Sequence, residues 1–230
     1  KSKGNVVDPW TTIQKFGIDT VRWYFFTAGD PAEPKKFDEA ELAKTFRKFF
    51  LILYNSFAFL ETYSGKHIAP FVGEPKHALD RWILARLAET TVDVTVKLNA
   101  YDIAPAGRAL EAFLDDLSRW YIRRSRERLK EATSDKRQVT STLGYVLLEF
   151  SKLLAPFAPF TAEALYQSLR EVGGGKWEVK ESVHLEEWPA VSKGQGAPPK
   201  ADLRRRRMGL GRTPPAEKRK SLPKPFRSRN

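Results

Sequence analysis

Arg119, Arg123, Arg126 and Lys130 recur at spacings of four, three and four in the run EAFLDDLSRWYIRRSRERLK. On a helix that spacing lays four cations along one face. Arg124 and Arg128 stand near its border. Guanidiniums so arranged can hold phosphate oxygens through paired N–H bonds and can stack on flat rings. Taken as a lone helix, the stripe reads first as a solvated face whose cations pair with Asp115, Asp116, Glu127 and Glu131. Trp120 and Tyr121 fall with Leu110, Phe113, Leu114 and Leu117 on the apolar side, as expected of core anchors rather than stacking platforms.

A second candidate is the opening KSKGNVVDP. Lys1 and Lys3 offer mobile ammoniums, Ser2 a hydroxyl, and Gly4 the freedom for a sharp turn. Such a loop can reach phosphate oxygens and close over them, although by composition it reads first as a flexible arm. Elsewhere the chemistry is sparse. The three histidines, His67, His77 and His184, have no zinc-ligand spacing. No isolated carboxylate pair suggests an acid and a base, and no glycine-rich phosphate loop is present. The body holds no complete active site.

The elements that must position these residues read as helices. Asp8-Pro9 starts a short one that stops at Gly17, and Asp19 starts another running from Thr20 to Ala28. Asp38 caps a long helix to about Tyr63, with Phe46, Phe49, Phe50, Leu53, Tyr54, Phe57 and Leu60 as its core stripe. The next runs from about Leu79 to Leu98, with Trp82, Ile83, Leu87, Thr90 and Val94 inward. Its β-branched stretch from Thr90 to Val96 keeps the helical period. Asp102 or a neighbour begins a third long helix over about Pro105 to Ala132. Asp135 begins one ending at Leu154, and Thr161 to Val172 forms the last. After Gly173–Gly175, WEVKESVHLEEWP reads as a short strand or an extended strap. The predicted fold is all-α: two short connecting helices and then an antiparallel bundle, because short loops make neighbouring helices run back on each other.

Charge and composition set the remaining bounds. The net +12 is unevenly spread: residues 189–230 hold 13 Lys/Arg against 2 Asp/Glu, leaving a nearly balanced 27 against 26 in residues 1–188. The basic tail has no apolar period and cannot offset its ordering entropy, so disorder is expected over 190–230. There is no cysteine, which excludes disulfides and Cys-ligated metal and suits a reducing compartment. No run approaches the ~18 apolar residues of a membrane span. The first residues lack a signal-peptide core, so a soluble, cytoplasmic protein with no membrane partner is expected.

Several motifs in order carry a resemblance. KSKGNVVDP followed by FGIDTVRWYFFTAGDP, ALDRWIL at 78–84, DLSRWYIRRSRERL at 116–129, LLAPFAPFTAEALYQ at 153–167 and ESVHLEEWP at 181–189 together resemble class I aminoacyl-tRNA synthetases. The match is to the isoleucyl enzymes, in the subclass shared with the valyl and leucyl ones, over about residues 1–189. WYIRRSR and HLEEWP favour isoleucine. The resemblance implies that Lys1 and Ser2 are the last two letters of a Lys-Met-Ser-Lys-Ser signature, with Lys1 on ATP phosphates and Ser2 and Lys3 beside it. It also implies that the nucleotide-binding fold, the amino-acid pocket and an editing domain belong to a part of the protein outside this chain. ATP with Mg2+ is then a substrate of the whole enzyme, tRNA(Ile) its partner, and the catalytic domain of the same protein a second partner; no zinc site is implied within this chain.

With that context the balance on the stripe turns, and Arg119, Arg123, Arg124, Arg126 and Lys130 are expected to face tRNA or the catalytic domain. The expected organisation is 1–34 for the signature loop and connecting helices, 35–175 for an anticodon-binding bundle, 176–189 for the strap and 190–230 for the tail. The tail departs from the family's continuation, which suggests out-of-frame or truncated sequence; the alternative is a basic arm adding salt-sensitive RNA affinity. A non-enzymatic RNA-binding module is the competing reading of the bundle.

Overall fold

The structure, a computed structural model, describes residues 7–29, 37–65, 67–130 and 134–190. Lys1, Ser2 and Lys3, Glu131 and the tail from 191 onward lie outside the described residues. Nine α-helical segments are described: α1 (Pro9–Phe16), α2 (Ile18–Thr27), α3 (Glu39–Thr45), α4 (Leu51–Ser64), α5 (Ala78–Asn99), α6 (Ile103–Asp116), α7 (Arg123–Ser125), α8 (Ser134–Leu154) and α9 (Pro159–Gly173). Among the described residues there is no strand.

Local chemistry explains several boundaries. The Asp8 carboxylate accepts from the Trp10 and Thr11 N–H groups, and Gly17 closes α1 at φ 80° with its N–H on Ile13 O. Asp38 accepts from Ala40 N at 2.8 Å to start α3. Pro159 occupies the first turn of α9, where a missing N–H leaves no bond unmade. The carboxylate of Asp19, buried at the start of α2, accepts from Thr161 N at 2.6 Å and so ties α2 to the exposed donors of α9.

Two expected helices are not continuous. A π-helical stretch, Phe46–Phe50, joins α3 to α4, and another, Leu117–Ile122, joins α6 to α7, which runs into a 3-10 turn at Glu127–Leu129. A π turn takes about one more residue than an α turn, so side chains beyond it rotate away from the ideal register. The core stripe is corrected too: Phe49, Phe50, Leu53 and Leu60 are buried, whereas Phe46, at the start of the first π turn, and Tyr54 are exposed. The strap question resolves too: residues 176–189 form no strand but an extended segment with a 3-10 turn, Val183–Leu185.

The core sits where α2, α4, α5, α6, α8 and α9 meet. Trp23 of α2 stacks on Phe49 at 3.9 Å, while Phe113 stacks on Phe150 at 5.5 Å. The connecting helices therefore share one apolar interior with the bundle. The strap closes it from outside: Val183 is buried, Tyr166 donates its hydroxyl to Lys180 O and Glu186, and Trp188 Nε1 donates to Thr95 Oγ1 at 2.8 Å. No helix among the described residues is long and apolar enough to cross a membrane.

Candidate nucleic-acid interface

The basic stripe lies on the segment that leaves α6 through the π turn, and an ion cluster built on the buried Asp80 fixes that segment in place. Asp80, in the first turn of α5, is fully buried. Its carboxylate accepts from Tyr121 Oη at 2.8 Å and from both terminal nitrogens of Arg128, each at 2.8 Å. Arg128 also donates to Asp135 at the start of α8, through Nε at 2.9 Å and Nη2 at 2.7 Å. One guanidinium thus pins α5, the 3-10 turn and α8 together with the paired geometry that suits a planar fork.

Burial works against the charge on Arg128, but its bonds to Asp80 and Asp135 outweigh that and hold its pKa above the ordinary arginine value. Burial also pushes the Tyr121 hydroxyl well up, with the Asp80 charge adding to it, so Tyr121 remains a donor. The hydrogen bond from Arg128 lowers the Asp135 carboxyl. Arg128 is therefore not a cation of the stripe's border but an internal anchor. A sequence signal for this existed: Asp80 shares the helical face of Ile83, Leu87, Thr90 and Val94, a carboxylate on an apolar stripe that calls for a buried partner. The partner, 48 residues away, was not legible from spacing.

The five cations singled out from sequence are all exposed and close in sequence around that anchor. Arg119 pairs with Asp115 at 2.6 Å and Lys130 with Glu127 at 2.7 Å, both at the surface. Asp116, a further candidate partner, is taken by Arg86 of α5 at 2.8 Å. Among the described residues Arg123, Arg124 and Arg126 make no ion pair. The expectation for Trp120 fails: Tyr121 and Ile122 are buried, but the π turn directs Trp120 outward, 49% exposed, with the Arg124 guanidinium 4.2 Å above its ring. A shallow groove of about 650 Å³ runs alongside, between His77, the cap of α5, Leu79 and Trp82 of α5, and Arg123 and Arg124 of α7. A second cavity of about 480 Å³ between α5 and α8 has Arg81 in its lining, a guanidinium already donating to the Pro75 and Lys76 carbonyls.

Exposed, unpaired guanidiniums beside an exposed indole on a rigid turn make a surface for polyanions that carry flat rings. The comparisons with known proteins agree with that chemistry. The family described as the anticodon-binding domain of tRNA ligase matches residues 80–210, more than half of the chain. The chain belongs to this family. The stripe and its anchor Arg128 both lie inside the matched residues, as does Asp80 at their edge.

Among curated proteins this anticodon-binding-domain chain is similar to the isoleucine–tRNA ligases of Deinococcus radiodurans, at 45% identity over 83% of the chain, and Thermus thermophilus, at 41% over 82%. A third, from Dehalococcoides mccartyi, is 42% identical over 84%. The chain spans 18–19% of the length of these relatives. Among solved structures it is similar to the LeuRS of Agrobacterium radiobacter K84 in a ternary complex with tRNA and LeuAMS, with a TM-score of 0.63 at 21% identity, over 85% of this chain and 23% of that one. That likeness establishes the all-helical fold.

Proposed function

We propose that this chain is the tRNA-binding C-terminal part of an isoleucine–tRNA ligase, whose whole form activates isoleucine with ATP and Mg2+ and attaches it to tRNA(Ile) in the cytoplasm. The observation that carries the reading is the exposed cluster of Arg119, Arg123, Arg124, Arg126 and Lys130 inside the family-matched residues, with three of these cations unpaired among the described residues. Their guanidiniums grip the phosphates of the tRNA, and Arg128 holds them in register from within. The relatives at 41–45% identity favour isoleucine over valine or leucine. Lys1, Ser2 and Lys3 serve the ATP side of the enzyme, and residues 1–34 connect the bundle to its catalytic domain, the chain's second partner.

Titration of tRNA(Ile) against the chain at several salt concentrations tests this. Each phosphate contact contributes about 0.7–0.9 to the slope of log affinity against log salt. Arg123→Ala and Arg126→Ala are each expected to weaken binding and to lower that slope by about one. Preference for tRNA(Ile) over other tRNAs accompanies the effect. Unchanged slopes in both variants refute the assignment of these cations, and binding lost on removal of residues 190–230 but not on either substitution assigns the affinity to the tail.

A further inference from the structure

We infer that Trp120 and Arg124 form a stacking platform for one unpaired RNA base, a site distinct in chemistry from the phosphate contacts around it; this rests on the RNA-binding reading above. An indole left 49% exposed forgoes much of its burial energy, while both following residues, Tyr121 and Ile122, are buried. The turn is stiff, because Tyr121 is held by Asp80 at 2.8 Å. Trp120 is thus presented outward by an anchored backbone rather than by a mobile loop. The Arg124 guanidinium lies 4.2 Å above its ring, which pre-orders a flat, cationic, layered surface, and the same Arg124 borders the groove beside Leu79 and Trp82.

Aromatic rings and guanidinium planes are the two surfaces on which unstacked bases settle. Arg123 and Arg126, unpaired among the described residues, stand within three residues of the pair on either side of Arg124 and can neutralise the phosphates flanking such a base. A duplex keeps its bases stacked on one another and offers this platform nothing; a loop can. Charge complementarity therefore selects RNA with an unpaired segment over an apolar protein surface.

The test uses the 230-residue chain, a stem-loop RNA with 2-aminopurine in its loop, and a blunt RNA duplex of the same stem. Binding of the stem-loop is expected to quench the 2-aminopurine. Trp120→Ala is expected to abolish the quench and weaken stem-loop binding roughly fivefold to a hundredfold, with duplex binding and the salt slope unchanged. Trp120→Phe is expected to restore part of the stem-loop affinity. Arg123→Ala, in contrast, weakens both RNAs alike. An unchanged stem-loop affinity and quench in Trp120→Ala overturns the platform and leaves the indole to a protein partner. Equal weakening of stem-loop and duplex also overturns it, with the RNA reading intact. Failure of either RNA to bind the wild-type chain removes the RNA reading and the platform together.

Discussion

Arg128 and Arg124 are four residues apart and do opposite things. Arg128 is half-buried between two carboxylates, to which it donates four hydrogen bonds; Arg124 lies in solvent over an indole. The difference makes Arg128 a positioning residue for the interface and a component of stability. Arg128→Leu strands the buried Asp80 carboxylate with Tyr121 as its remaining side-chain donor among the described residues. Removing one partner of a buried pair costs about 3–5 kcal/mol, so this variant is expected to show a large drop in the urea midpoint. Arg123→Ala, at an exposed site, is expected to leave the midpoint nearly unchanged. Equal midpoints for the two variants would contradict the anchor.

At the scale of elements, the close crossing of α2 over α6 rests on Gly107. A Cβ added there meets Thr27 Cγ2 at 2.6 Å, and that methyl cannot swing away freely because Thr27 Oγ1 is held on Trp23 O at 2.7 Å. Overpacking of this kind costs about 1–3 kcal/mol, partly offset by about 1 kcal/mol of better helix propensity. Gly107→Ala is expected to lower the melting temperature, and the added Thr27→Ser change, which deletes the clashing methyl and keeps the hydroxyl, is expected to recover it. The π turn between α6 and α7 is the other structural device at this scale. It keeps Tyr121 on Asp80 while turning Trp120 and Arg124 outward, so the same turn builds the anchor and the proposed platform.

At the scale of the whole molecule, the described residues form a helical body filled by Trp23, Phe49, Phe113, Phe150 and Phe157. The chain accounts for 18–19% of the length of its curated relatives. Adenylate formation needs a nucleotide-binding fold, and we expect that reaction to require residues beyond these 230. Isoleucine-dependent exchange of pyrophosphate into ATP is the measurement: the purified chain is expected to give the blank rate, and exchange above it would place an active site within the chain.

Several helix limits, much of the apolar faces and the basic stripe were legible in the sequence because they depend on neighbours a few residues apart: Asp8 and Asp38 cap, Gly17 stops, and Ile83, Leu87 and Val94 recur at the helical period, whereas Asp19, expected to start α2, caps nothing there and bonds to Thr161 instead. The ordered motifs likewise carried the family. What the tertiary structure alone decided is which cations remain free. Asp116 turned to Arg86 and Asp80 to Arg128 across 30 and 48 residues of chain, choices made by packing rather than by spacing. Trp120 departs from the helical pattern for a related reason. One extra residue in a π turn rotates every side chain after it, and a strict helical count cannot see that turn before Tyr121 finds its buried partner.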